Sequence, residues 1–472
     1  MTYVVIQNCC SDASCVVVCP VGCIHPTPDE PGFATAEMLY IDPDTCVDCG
    51  ACADACPVDA IRPDTALSAD DQWYTRVNAE YYQSNPPSPE WYRRQPRRIA
   101  RVSADGLRVA IVGSGAAGFY AATALLRHPG VRVDMYEKLS APHGLIRYGV
   151  APDHPATKSV AGQFRWPAGQ QKRFALHLGV EVGGAGLSHQ KLLDEHHAVI
   201  YATGSAGERR LDIPGEDLPG VIGALPFVGW YNGHPEHARL APDLTSRRAV
   251  VIGNGNVALD LARILTADPD ALAATEIAKP ALRALRASAV DEVVILGRRG
   301  AAHAAFTTPE LYGLSRVPGV DVVVDPEDVA SGDGPKLELL RELAARPATG
   351  ARRIVLRFNA APVEIVGDGA AAGVRLSGGE FVEAGLVLRS IGFGGATFDA
   401  VAGRVSPGVY ATGWARRGPT GGIGTNRTCA EETVATLLAD YAAGALRAPR
   451  RSEPAGRRLR LWPVRSQDRV TA

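Results

Sequence analysis

One arrangement occurs twice in the 472-residue chain and limits its architecture more than any other feature. Val109-Ala-Ile-Val-Gly113-Ser-Gly115-Ala-Ala117-Gly118 and Val250-Val-Ile-Gly253-Asn254-Gly255-Asn256-Val257-Ala258 each lead an apolar strand through a glycine turn into a helical stretch. The first glycines permit a tight turn and a close approach of backbone to a pyrophosphate, and the small third residue lets the helix pack on the strand. Around both turns, short apolar runs such as Val131 to Tyr136 and Glu292 to Leu296 alternate with helical stretches such as Ala116 to Leu126 and Asn256 to Leu265. Alternation of this kind predicts an α/β protein with parallel sheets covered by helices, here as two Rossmann-like nucleotide-binding domains. The uncharged run Val109 to Leu126 is 18 residues long, but Gly113, Ser114, Gly115 and Gly118 interrupt it, so it reads as strand, turn and helix, not as a membrane span. Tyr201-Ala-Thr-Gly204 recurs as Tyr410-Ala-Thr-Gly413, which fits strands that end in glycine turns.

The residues beyond each turn distinguish the two sites. After the first, Glu137 stands at the end of the next strand, 24 residues beyond Gly113, where a carboxylate accepts from a ribose hydroxyl. After the second, the corresponding strand ends in Gly297-Arg298-Arg299, and arginine forks match the oxygens of a 2′-phosphate. An acid at one site and two cations at the other imply FAD in the first and NADPH in the second. Two such dinucleotides in one chain suggest hydride transfer between them.

Charge and cysteine are unevenly spread. The chain carries a net −2, yet residues 1–61 hold nine acids and no Lys or Arg, leaving +7 on the rest. The near-neutral total argues against a nucleic-acid binder. Nine of the ten cysteines fall in the first 56 residues. The N-terminus lacks the basic start and apolar core of an export signal, so a cytoplasmic protein with metal-bound thiolates is expected in preference to a disulfide framework. Cys46-x2-Cys49-x2-Cys52-x3-Cys56-Pro57 has the spacing of bacterial ferredoxins, in which three thiolates wrap one cluster and the fourth ligates the other. A zinc site would want two separated pairs. Cys9, Cys15 and Cys19-Pro20 fit the same template with Asp12 in the slot of the second cysteine. The crossed rule then assigns Cys19, Cys46, Cys49 and Cys52 to a [4Fe-4S] cluster. Cys9, Cys15 and Cys56 are left for a [3Fe-4S] cluster, or for a [4Fe-4S] cluster with Asp12 as fourth ligand. Cys10 and Cys23 exceed the template and read as thiols beside the clusters; Cys429, in an Ala-rich stretch, reads as core. Residues 1–62 resemble a bacterial seven-iron ferredoxin, a small α+β module.

Five further stretches complete the resemblance. Gly144-Leu145-Ile-Arg-Tyr-Gly-Val-Ala-Pro-Asp153-His154, Gly253 to Asp260, Gly297 to Gly300, Phe306-Thr-Thr-Pro-Glu310 and Gly413-Trp414 to Asn426 are similar, in that order, to the adrenodoxin reductase family of ferredoxin-NADP reductases over about residues 107–440. The resemblance implies an FAD domain (107–245 and 390–445) interrupted by an NADPH domain (246–389), with 1–62 as the ferredoxin domain, 63–106 as a linker and 446–472 as a basic tail. It also implies which residues touch the cofactors. FAD would meet Gly113, Gly115, Ala117, Gly118, Glu137, Leu145, Trp414, Gly421, Gly422 and Ile423. NADPH would meet Asn254, Gly255, Asn256, Val257, Arg298, Arg299, Glu310 and Gly421. The chain departs from the family at Glu310-Leu-Tyr312-Gly313, where Glu-Leu-Arg-Glu is frequent, so His154 is expected to lack a carboxylate partner; it either pins its loop or reaches the flavin chemistry. The stretch between Gly392 and Val409 is also short for the family.

The expected function is NADPH-ferredoxin oxidoreduction: hydride from NADPH to FAD, then single electrons through the fused clusters to an external acceptor. A separate ferredoxin, a cytochrome P450 or a reductive enzyme could be that acceptor, with neither nucleic acid nor membrane insertion expected. Two other readings are an electron-input subunit resembling the small subunit of glutamate synthase and a non-catalytic redox or NADPH sensor.

Overall fold

The computed structural model describes residues 2–86, 104–170, 172–183, 186–205, 207–350 and 352–450. The arginines expected in a linker at 93–101 and most of the expected basic tail lie outside these residues. Two compact units emerge.

The first unit takes in residues up to 86, 145–160 and 207–395. Its largest sheet has six strands in the order Val221–Gly223, Leu386–Arg389, Arg248–Ile252, Glu292–Leu296, Arg352–Arg357, Val320–Val324, every neighbouring pair parallel. Strands buried on both faces need continuous apolar sequence, and Val250, Val251, Ile252, Val293, Val294 and Ile295 supply it. The expected boundary at 245 moves: Val221–Gly223 is hydrogen-bonded to Leu386–Arg389 at the edge of this sheet, and Gly207–Glu208 pairs with Phe393–Gly394. Residues 207–245 and 390–395 therefore belong with this sheet in the first unit, not with the unit that holds residues 107–144.

The N-terminal part of this unit is built from two antiparallel pairs, Tyr3–Val5 with Ile61–Pro63 and Ile24–His25 with Tyr40–Ile41, and two short helices, Ser14–Val18 and Ala51–Ala55. The segment expected to begin a linker at residue 63 instead contributes the helix Trp73–Ser84. Buried Asn78 holds that helix in place. Its Oδ1 accepts from the Val5 and Ile41 N–H groups at 3.2 and 2.9 Å, and its Nδ2 donates to the Val5 carbonyl at 2.8 Å, so one amide joins both strand pairs. One turn on, the Tyr82 hydroxyl donates to the carbonyls of Tyr40 (2.7 Å) and Cys23 (3.0 Å). A buried amide with this many partners is costly to remove, which makes the helix part of the module.

The second unit comprises residues 104–144, 161–205 and 396–450 as described. Its sheet runs Arg404–Ser406, Val409–Ala411, Ala198–Tyr201, Arg108–Val112, Arg132–Glu137, Phe174–Leu178, parallel except for the first pair. The repeated Tyr-Ala-Thr-Gly phrases sit on adjacent strands, with Tyr410 opposite Ile200 and Ala411 opposite Tyr201. Helices Ala116–Leu126 and Ile423–Ala442 pack together over the sheet, and Cys429 is buried there. No helix among the described residues is long and apolar enough to cross a membrane.

Candidate functional site

Three helices begin in the same unusual way. Ala116–Leu126, Asn256–Thr266 and Ile423–Ala442 have Gly115, Gly255 and Gly422 at their N-caps, and none carries a side-chain cap. A Cβ built on any of these three glycines would meet nothing within 4 Å. The first N–H groups of each helix thus face open space, the arrangement that receives a phosphate. The preceding glycines are tight. A Cβ on Gly113 (φ +101°) would lie 2.4 Å from the Ala202 carbonyl oxygen, and one on Gly253 (φ +109°) 2.2 Å from that of Ser390. This is the cradle that a dinucleotide pyrophosphate fits.

Around the first cradle, Glu137 is buried; its Oε2 accepts from the Ser114 N–H (3.0 Å) and hydroxyl (2.7 Å), and its Oε1 from the Leu139 N–H (3.0 Å). The carboxylate braces the glycine loop and keeps lone pairs for a ribose hydroxyl. Ala117 and Gly118 are packed into the helix start, with the Gly118 Cβ position 2.2 Å from the Gly113 carbonyl oxygen. The structure brings Trp414 to Gly421, indole Nε1 to carbonyl oxygen at 3.1 Å, beside exposed Gly422 and half-buried Ile423. Leu145 is in the first unit, on the helix Gly144–Tyr148, and is exposed.

At the second cradle, Arg298 and Arg299 are both exposed just beyond the strand Glu292–Leu296 that neighbours Arg248–Ile252. Arg299 makes one long bond, Nη2 to the His303 carbonyl at 3.4 Å. Asn254 and Asn256 spend much of their capacity internally: the Asn254 carbonyl accepts from Phe306 N (2.9 Å), and Asn256 Oδ1 from Thr307 N (2.8 Å). They tie the turn to the segment that starts the helix Thr308–Leu314, while Val257 packs against the core.

That helix carries Glu310 into a cluster of charge. The expectation that His154 lacks a carboxylate is overturned: its Nε2 lies 3.4 Å from Asp260 and 3.8 Å from Glu310. Buried Arg263, missed in the sequence, is the hub. It donates to Asp153 (2.6 and 3.1 Å), to Asp260 (2.6 Å) and, through Nη2, to His154 Nε2 at 2.6 Å. Burial works against a charged ring here, but Asp260 and Glu310 raise the His154 pKa overall, and the ring is held in orientation between the guanidinium and the Asp260 carboxylate. Burial first, then the Asp260 charge, hold the Glu310 acid above its usual range, and its Oε2 is buried without a hydrogen bond. The signal available in sequence was the Asp260-x2-Arg263 spacing on one helix face.

The departure at Tyr312-Gly313 has a structural reason. Tyr312 stacks on Trp73 of the N-terminal module, centroids 4.3 Å apart and planes within 7°. Its hydroxyl donates to the Asp70 carbonyl at 2.6 Å, and Arg316 pairs with the Asp70 carboxylate. A Cβ on Gly313 would fall 2.1 Å from the Gln7 amide nitrogen. Glu37 accepts from the Thr308 N–H (2.9 Å) at the start of the helix and pairs with Lys336 (3.2 Å). The helix that presents Glu310 is therefore also the seat of the cysteine-rich module.

Within that module the thiols form two groups. Cys19, Cys46, Cys49 and Cys52 line one small cavity with Cys23; Cys9, Cys15 and Cys56 line a second with Cys10 and Asp12. Each run of cysteines sends its last member to the other cavity. A hydrogen bond from Cys23, at 3.4 Å, lowers the Cys19 thiol to about 5. Asp12 is buried and already engaged, Oδ1 accepting from Ser14 N (3.1 Å) and Oδ2 from Ser14 Oγ (2.5 Å). A wall of convergent thiols with little other polarity suits iron and sulfide.

Comparison with known proteins places these features in one lineage. Residues 107–299 match the pyridine nucleotide-disulphide oxidoreductase family, and residues 39–62 the 4Fe-4S binding domain. A probable ferredoxin/ferredoxin–NADP reductase of Mycobacterium tuberculosis is 48% identical over 495 residues, covering 95% of this chain and 85% of that protein. Bovine mitochondrial NADPH:adrenodoxin oxidoreductase is 41% identical over 423 residues, covering 76% of this chain and 85% of that one. The solved structure of Mycobacterium tuberculosis FprA in complex with NADPH superposes with a TM-score of 0.68 at 42% identity, over 72% of this chain and 87% of that chain. Likeness at this level over almost the full length of both proteins leaves one assignment: the chain belongs to the ferredoxin/ferredoxin–NADP reductases.

Proposed function

We propose that the chain takes electrons from NADPH and passes them, by way of FAD, to its own iron-sulfur module and then to a separate acceptor. The observation that carries this reading is the double use of the helix Thr308–Leu314, which presents Glu310 to His154 and seats the module through Tyr312. The flavin supplies the conversion of a hydride donor into single electrons. The protein's own work is binding and orientation. Gly115 and Gly255 open helix N-termini to the two pyrophosphates, Arg298 and Arg299 select the 2′-phosphate, and Arg263 fixes the orientation of His154 beside Glu310.

In the module, Cys19, Cys46, Cys49 and Cys52 hold a [4Fe-4S] cluster, and Cys9, Cys15 and Cys56 a [3Fe-4S] cluster. The three-iron form is favoured because Asp12 would have to give up Ser14 to reach iron, and because a hard carboxylate is the poorer match for iron in a sulfide cage. An anaerobic NADPH titration followed by absorbance and EPR tests the reading. Flavin bleaching followed by loss of the oxidised three-iron signal supports it; clusters that stay oxidised with excess NADPH contradict it.

A further inference from the structure

The module has one side that is used and one that is open. Gln7, Glu37, Asp70 and Trp73 face the helix Thr308–Leu314 and its neighbours, and the Pro57 carbonyl, next to Cys56, accepts from Ser159 Oγ at 3.2 Å. The group of Cys9, Cys15 and Cys56 thus lies toward the helix Thr308–Leu314 and the segment 155–160 of the same unit. The rim of the other group is different. Val17, Val18 and Val47 are 53%, 41% and 57% exposed, and Cys49 is the one exposed cysteine of the ten. Val47 lines the cavity of this group, and Val17 and Val18 end the helix Ser14–Val18 that leads directly into Cys19. Single exposed valines need no explanation, but these are three of the eight large exposed apolar side chains among the described residues, and each stands within two residues of a cysteine of this group. Asp44, Asp48 and Asp54 of the Cys46 run are exposed as well, and no Lys or Arg occurs in residues 1–61.

We propose that the external acceptor docks on this Val17, Val18 and Val47 face, and that it is a redox protein presenting an apolar centre ringed by lysine or arginine. An acidic ferredoxin would meet like charge here, whereas a basic face is steered in and its apolar centre covers the valines. The inference rests on the function proposed above. In balance, one NADPH becomes NADP+ and a proton, and two acceptors each gain one electron.

The test uses the full-length, iron-loaded protein with cytochrome c as a basic haem probe and cytochrome b5 as an acidic one. Cytochrome c should be reduced at least tenfold faster than cytochrome b5, with a rate that falls as salt rises. Val17→Lys with Val18→Lys should weaken cytochrome c binding, read by titration calorimetry on the oxidised protein, roughly tenfold. Val401→Lys, at a valine 82% exposed elsewhere, should leave it unchanged. Ferricyanide reduction and NADPH-driven cluster bleaching without a protein acceptor should be equal in all variants. Equal rates with both haem proteins, or rim variants that bind like wild type, would overturn the proposal. So would tighter cytochrome c binding after Arg457, Arg458 and Arg460 are changed to Gln, since the chain's own arginines would then be the occupant. Failure of cluster bleaching in wild type would instead count against the function proposed above, and the calorimetry would still decide the docking face.

Discussion

Two residue pairs put the proposed function to the test. Arg298 and Arg299 are exposed, and among the described residues the Arg299 guanidinium makes one long hydrogen bond, which leaves donors for a 2′-phosphate. Hydrogen bonds to charged groups contribute about 1.5 to 3 kcal/mol each, and about 1.4 kcal/mol is a factor of ten. Replacing both by Ala should raise the KM for NADPH by roughly 100-fold or more and change NADH use little; equal losses with the two cofactors would show that the pair does not read the phosphate. The second pair is Asp12 and Ser14. Asp12→Cys completes a four-thiolate set, so iron should rise from about seven to about eight per chain and the three-iron EPR signal should vanish. Ser14→Ala removes the hydroxyl that bonds Asp12 Oδ2, while the backbone N–H still bonds Oδ1, and should move part of the population the same way. Eight irons in wild type, lost on Cys10→Ala, would assign the fourth ligand to Cys10, which lines the same cavity.

At the scale of elements, the helices Trp73–Ser84 and Thr308–Leu314 decide how the module is held. Aromatic pairs contribute about 0.5 to 1.5 kcal/mol beyond area burial, so a double-mutant cycle of Trp73→Ala and Tyr312→Ala, measured by denaturant unfolding, should give a coupling energy in that range; a coupling near zero would mean that the stack does not hold the module. Lys158 makes a separate prediction for the segment that bears His154. Burial above all lowers this ammonium to about 8, with its Nζ donating to the Arg147 carbonyl and to Asn232. Its ordinary value is 10.5, so between about 8 and 10.5 the unfolded chain binds more protons and stability gains as pH rises. Lys158→Met should remove that gain; an unchanged slope would show that Lys158 is not the titrating group. Trp73–Ser84 was hidden in the sequence because the stretch 63–106 averages to a Pro-, Tyr- and Arg-rich composition, although Tyr74, Asn78 and Tyr82 repeat at helical spacing. The glycine turns were legible because local geometry alone demands those residues.

For the molecule as a whole, the features visible in sequence arise from covalent neighbours and the hidden ones from distant residues. The crossed grouping of cysteines could be read from spacing, and the two cavities have that grouping. The partners of His154 could not, since Asp260 and Arg263 are over a hundred residues away and reach it only when the sheet is formed. The same holds for Glu37 and Thr308, and for Gln7 against Gly313, so a departure from the family pattern that looked like a lost carboxylate is a seat for the module. The central claim is that the module receives electrons from its own reductase within one chain. Anaerobic stopped-flow mixing of the iron-loaded protein with NADPH, over a tenfold range of protein concentration, tests it most directly. The account predicts a first-order rate constant for cluster reduction that does not change across that range; a rate rising in proportion to protein concentration would contradict it, because the electrons would then be arriving from another molecule.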